Sequence, residues 1–327
     1  MEPYADVVGS YRDFASYAGS DSPTFCDWAA EVAEDGELVA WIAGLPDTKQ
    51  QPNLVFAAAR WHGVTAPGPF AGLRDALLGD NGTIRSTILA RATQTNEVGR
   101  LATLVPAFGQ FSGPLALIEV GASAGLCLYP DRWGYSWSTP TGEVRLGHAP
   151  RLPCRVTGPA PLPTELPTVT WRAGVDLNPL HVDDCDQMAW LEQLVWPEQA
   201  ERRATLGHAV EIARREPAEL VAGDLLHELP ALVERASALG TVVVFHSAVI
   251  AYLRPDDRST FDATMRALVG DRRCHWVSNE GKTVLPSVAE TGPDIAEAEQ
   301  TFVLGVDGQM VAKTHGHGRS LSWTSQP

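Results

Sequence analysis

Leu115-Ala-Leu-Ile-Glu-Val-Gly-Ala-Ser-Ala-Gly125 is the stretch from which the rest of the chain can be read. Its first six residues are apolar apart from Glu119 and do not alternate, as expected of a strand covered on both faces. Gly121 and Gly125 then bracket a turn where the backbone can fold tightly and approach a ligand. Downstream, similar short runs occupy 169–176, 219–224, 241–247 and 274–280, most of them ending in a polar or acidic residue. Helical patterns separate several of them, at 183–195, 198–215, 228–239 and 258–269. Strand alternating with helix predicts a parallel sheet with crossover helices. Asp307-Gly308, between the runs 301–306 and 309–314, predicts a hairpin that closes the sheet with an antiparallel pair.

Upstream of Leu115 the pattern is helical. Phe25, Trp28, Val32 and Ala33 recur at helical spacing after Ser22-Pro23, a plausible helix start. Leu38, Trp41 and Ile42 follow as a short helix, Asn53 is a candidate cap for 54–61, and 70–79 and 84–104 complete the region. The expected organisation is a helical region over 1–110, a candidate lid over a substrate, and an α/β domain over 111–327. Residues 130–168 carry eight prolines, and Pro140-Thr-Gly142 suggests a hairpin. That density predicts an insertion looped out of the α/β core. The fold class is α/β, with a mainly parallel Rossmann-like sheet, a terminal antiparallel hairpin and an N-terminal helical region.

The turn after the first strand carries the chemistry. Its spacing resembles the first motif of class I methyltransferases, which bind S-adenosylmethionine, with Ser123 where that family usually has glycine. The resemblance implies cofactor contacts from Glu119, Gly121, Ala122, Ser123 and Gly125. An acid ending the second strand binds ribose hydroxyls in such sites, and Asp176 stands there; its alternative role is to cap a helix near Pro179. Asp224 and Leu225, after the third strand, match the acid and apolar residue that flank the adenine. His246 and Ser247 end the fourth strand, where that family places groups facing the substrate; an imidazole titrates near neutrality and suits a base. Asn279, in Asn279-Glu280-Gly281, ends the fifth strand on the same edge. The same turn also reads Gly121-Ala-Ser-Ala-Gly125, the G-x-S-x-G pattern of a nucleophile elbow, with later histidines available as base. A third alternative is a tight turn with no ligand.

Gln94, Asn96, Glu97 and Arg100 lie close together in a segment read as helix and offer donors and acceptors to a polar substrate; the plain alternative is a solvated or bridging face. Gln94-Thr-Asn-Glu-Val-Gly-Arg100, Glu119-Val-Gly-Ala-Ser-Ala-Gly-Leu126, Asp176-Leu-Asn-Pro179, Trp190-Leu191, Val195-Trp196-Pro197 and Val244-Phe-His-Ser247 together resemble an uncharacterised bacterial family, domain of unknown function 2332. The likeness runs nearly end to end and departs at Cys127, where asparagine is expected. It implies no activity, but it does imply that the helical and α/β parts work as one unit.

Composition narrows the partners. The 327 residues hold 25 Lys+Arg against 40 Asp+Glu, a formal charge of -15, which disfavours nucleic acid and anionic membranes. Five scattered cysteines without a C-x-x-C disfavour a disulfide scaffold or a cysteine zinc site. The start Met1-Glu2-Pro3 is unlike a signal peptide, and prolines and glycines break the longest uncharged stretch, so a cytoplasmic protein is expected. His181, Asp183, Asp184, Cys185 and Asp186 read as a helix start before they read as a metal site, and His315-Gly-His317-Gly reads as a loop; no metal is expected. The leading reading is methyl transfer from S-adenosylmethionine to a small or peptide-like acceptor. A serine hydrolase using Ser123 and a non-catalytic binding protein are the alternatives.

Overall fold

The computed structural model describes residues 6–19, 21–94 and 96–324. The chain forms two compact units: 1–95 with 184–207, and 96–183 with 208–327.

The first unit is helical, with helices at Val7–Ala18, Pro23–Glu34, Gly36–Ala43, Pro52–Trp61, Phe70–Leu78, Thr83–Ala90 and Cys185–Leu194. Ser22 caps the second helix, its side chain accepting from Phe25 N at 3.1 Å with Pro23 in the first turn. Phe25 and Phe56 meet edge to face at 5.1 Å in the core. Residues 184–207 join this unit through two tryptophans. Trp196 Nε1 donates to Asn53 Oδ1 at 2.8 Å, and Trp190 Nε1 to the Ala92 carbonyl at 2.9 Å. Asn53 is therefore a partner inside its helix and not its cap.

The helix expected over 84–104 is broken. It stops at Ala90, Arg91 turns extended (φ -103°, ψ 164°), and after a short turn at Val98–Arg100 a new helix runs Leu101–Phe108. Tertiary bonds replace the helical ones. Lys49 Nζ takes the Arg91 carbonyl at 2.5 Å, and Thr93 donates to Gln51 Oε1 at 2.6 Å.

The second unit is built on one sheet of eleven strands: β1 Leu115–Val120, β2 Gly134–Thr139, β3 Gly142–Leu146, β4 Arg151–Thr157, β5 Val169–Asp176, β6 Glu219–Ala222, β7 Thr241–Ser247, β8 His275–Gly281, β9 Phe302–Val306, β10 Gln309–Thr314 and β11 Ser320–Trp323. Their order is β3-β2-β4-β11-β10-β9-β8-β7-β1-β5-β6. From β6 to β8 all neighbours are parallel, and β9 and β10 run antiparallel to theirs. On one face Ala116, Ile118, Val120, Val175 and Val244 pack with Leu229, Leu232 and Val233 of the helix Leu225–Ala236, and with Phe261 and Met265 of Pro255–Gly270. Each of these Val, Leu, Ile, Phe and Met side chains, fully buried, contributes about 1.5–3 kcal/mol.

Two sequence expectations fail here. The hairpin β9–β10 does not close the sheet, because β11 and then β4, β2 and β3 extend it. The proline-rich stretch is therefore not looped out. Tyr135 and Trp137 of β2 are fully buried and stack at 5.3 Å, and Trp137 Nε1 donates to the Ala102 carbonyl at 2.8 Å. The prolines are tolerated because β4 meets β11 only at Arg155, Val156 and Thr157, which leaves Pro153 outside that pairing.

Candidate functional site at the carboxyl edge of the sheet

Strands β6-β5-β1-β7-β8 stand in the order third, second, first, fourth and fifth of the parallel set. The chain leaves β1 toward β5 on one side and returns to β7 on the other. Ligands of such sheets bind outside the carboxyl ends of the strands where the order reverses. Here that point lies between β1 and β7, at the Gly121–Gly125 turn.

The turn is tightly wound. Gly121, Ser123 and Gly125 have φ of 69°, 51° and 68°. A side chain on Gly121 would overlap both methyls of Val249, so the loop after β7 lies directly against the turn. Ala248 of that loop also has positive φ, 59°. Ser123 and Ala248 thus hold strained backbone on both sides of the switch point, a feature that clusters at functional sites.

Glu119 is buried, with 9% of its surface exposed, and its Oε2 has no hydrogen-bond partner. Burial, and then the nearby Asp176 carboxylate, push its carboxyl well above the usual range; Arg100 and the Cys127 thiol act the other way. Burial and Glu119 likewise raise the Cys127 thiol, which makes it a poor nucleophile. Asp176 braces the turn: Oδ2 accepts from Ser123 N and Oδ1 from Asn178 N, both at 2.8 Å. It caps no helix, since Asp184 caps the helix beginning at Cys185.

Asn96, Glu97 and Arg100 come to this edge from an irregular segment. Asn96 Nδ2 donates to Ser123 Oγ at 2.8 Å, and Cys127 Sγ contacts the Glu97 carbonyl at 3.6 Å. Arg100 donates to the Ser247 and Gly316 carbonyls at 2.9 and 2.7 Å. Gln94 falls in the first unit. Ser247 Oγ accepts from Asn279 Nδ2 at 2.8 Å, and Thr314 donates to Asn279 Oδ1 at 2.6 Å. Asp224 and Leu225 sit after β6, where Asp224 is exposed and caps its helix by accepting from Leu226 N at 2.9 Å. Ala122 is buried within the turn.

His246 does not face the crevice. It is fully buried, Trp276 Nε1 donates to its Nε2 at 3.0 Å, and its Nδ1 lies 2.7 Å from Glu280 Oε1. The tryptophan donor fixes the imidazole proton on Nδ1. Glu280 in turn accepts from Val249 N and Ile250 N, so the pair shapes the loop after β7. His246 is therefore not placed as the base expected at this edge, because the even positions of β7 point into the face where Val242 and Val244 pack with Phe261 and Met265.

The segment His315–Gly318, read from the sequence as a loop with no part in the site, belongs to this edge. Its His317 Nδ1 lies 3.0 Å from Glu97 Oε2, and Gly318 packs against the Gly99 carbonyl, an approach that only a residue without Cβ allows. The two glycines in His315-Gly-His-Gly318 were the available signal. Among the described residues, no group of three His, Cys, Asp or Glu could hold a metal, and no helix is long and apolar enough to cross a membrane. A cavity of about 660 Å³ lies at the other end of β1, under Phe108, Phe111 and 161–168, away from these groups.

No curated protein and no solved structure matches the chain. Over residues 9–323 the sequence matches the family described as "Uncharacterized protein conserved in bacteria (DUF2332)", and the chain belongs to that family.

Proposed function

We propose that the second unit binds S-adenosylmethionine at the carboxyl ends of β1, β5 and β7 and directs its methyl group to a small or peptide-like acceptor. The observation that carries this reading is the buried, unpartnered Glu119 Oε2 beside the switch-point turn. A buried carboxyl oxygen without a hydrogen-bond partner calls for one. Asp176 and Asp224 are acceptors, and Glu119 becomes one when a bound donor or cation lets it give up its proton. They suit ribose hydroxyls, an adenine amine, an ammonium and a sulfonium, all of them donors or cations. A dinucleotide fits less well. Its pyrophosphate needs open N–H groups at a helix start, whereas Gly125 leads only into the short 3₁₀ turn Leu126–Leu128.

When bound, the cofactor supplies an electrophilic methyl group. The chain's own task is to hold and align the acceptor. Ser247 retains a hydroxyl proton to donate, since its bond with Asn279 uses only the oxygen as acceptor. His246 acts through Glu280, by holding the 248–252 loop in place. Calorimetric titration with S-adenosylmethionine and S-adenosylhomocysteine tests the reading. Micromolar binding that weakens at least tenfold in Glu119→Gln is expected, and no binding to folded protein would remove it.

One observation favours a second reading, a serine hydrolase: the positive φ of Ser123 is that of a strained nucleophile turn. Its Oγ, however, is engaged by the Asn96 amide. Labelling of Ser123 by a fluorophosphonate would favour the hydrolase over methyl transfer. Binding without turnover on any acceptor would point to the non-catalytic reading.

A further inference from the structure

The β1 turn is closed by a side chain of the protein itself. Five consecutive N–H groups, 121 to 125, are all bonded. Gly121 and Ala122 donate to the Val175 carbonyl at 2.8 and 3.2 Å, and Gly125 to that of Ala122 at 2.7 Å. The other two donate to side chains: Ser123 N to Asp176 Oδ2 at 2.8 Å, and Ala124 N to Asn96 Oδ1 at 3.3 Å. With its Nδ2 on Ser123 Oγ, the Asn96 carboxamide lies across the turn, acceptor to one group and donor to the next.

We propose that Asn96 is an autoinhibitory plug: the carboxylate of an amino-acid group on the ligand takes the Ala124 N–H and the Ser123 hydroxyl only after Asn96 has left them. This rests on the carboxyl edge being the ligand site. Three observations separate a plug from a fixed brace. The Ala124 bond, at 3.3 Å, is at the weak end for an N–H donor. Asn96 is half-buried. The residues that follow it have bonds of their own, Glu97 with Gly99 N and His317 and Arg100 with the Ser247 and Gly316 carbonyls, so those bonds do not depend on Asn96. A zwitterion suits the place better than a bare anion, because its ammonium offsets Asp176 and can partner the orphaned Glu119 Oε2.

The test is titration of full-length ¹⁵N-labelled protein with L-methionine, read at the Ser123 and Ala124 amide resonances. Releasing the plug raises the competent fraction, so Asn96→Ala should bind about tenfold more tightly than the parent chain. Asn96→Asp keeps an acceptor on Ala124 and adds a repelling charge, so it should bind more weakly than the parent. Opposite signs from two changes at one position exclude a general loss of folding. Equal midpoints in the parent and Asn96→Ala, weaker binding in Asn96→Ala, or no response of the Ala124 amide in any form overturns the plug. S-adenosylhomocysteine is titrated in parallel. Its failure to bind while L-methionine behaves as expected removes the nucleoside reading and leaves the plug standing.

Discussion

Gly121→Ala tests the geometry of the switch point directly. An alanine at φ 69° costs about 1–2 kcal/mol, since Cβ crowds the carbonyl in the left-handed region. Its Cβ would also overlap both Val249 methyls and lie 3.0 Å from Val249 Cβ. Val249 cannot easily retreat, because Glu280 holds its N–H and that of Ile250. Overpacking of this kind costs about 1–3 kcal/mol. The expected loss is therefore about 2–5 kcal/mol, seen as a lower urea midpoint at unchanged slope. Val249→Ala removes the clashing methyls at a cost of about 1 kcal/mol. The double variant should be about 1–3 kcal/mol more stable than the sum of the singles, because the overlap disappears while the backbone cost stays. A Gly121→Ala protein within about 0.5 kcal/mol of the parent, or strict additivity in the double variant, would refute the close approach of the two loops.

Four further outcomes follow, three from single side chains and one from a deletion. Glu119 has a raised pKa in the folded state, so over the range above the ordinary carboxyl value the native state holds a proton that the unfolded state has lost, and stability falls as pH rises. The slope is at most about 1.4 kcal/mol per pH unit, and urea midpoints measured against pH should lose that slope in Glu119→Gln. His246→Phe should cost about 2–4 kcal/mol, because it strands the Trp276 N–H and removes one donor from Glu280; a solvent-facing base would tolerate the change. Trp137→Phe should cost about 1–3 kcal/mol by leaving the Ala102 carbonyl unpaired, and deletion of 130–168 should leave no folded second unit by circular dichroism.

The candidate site was legible in sequence only in part. Glu119, Ser123 and Asp176 were found because each lies within or directly after a strand whose end is marked by composition, and strand ends of a parallel sheet share one edge. The structure brings them together with Asn96, Glu97 and Arg100, although those three were expected on a regular helix. The helix stops before them, where Lys49 and Trp190 take the Arg91 and Ala92 carbonyls that a helix would have used. His246 was legible as a strand end but not as a buried group. Which way an even position of β7 points depends on which face the crossover helices cover, and that is set by residues far along the chain.

What could be read from residues in order was local. Short apolar runs mark β1, β5, β7 and β10 at their observed bounds, and Ser22-Pro23 marks a helix start, because each signal is written within one turn of helix or one strand. What needed the folded chain was every pairing between distant segments. Composition sets the proline-rich stretch apart, yet β2 and β4 complete the sheet beyond β11 because Tyr135 and Trp137 find a buried surface to fill. Residues 184–207 look like part of the α/β alternation, yet they belong to the helical unit because Trp190 and Trp196 find their acceptors there. A buried indole must satisfy both its apolar area and its N–H, and the group that does so can lie a hundred residues away, where no periodicity points to it.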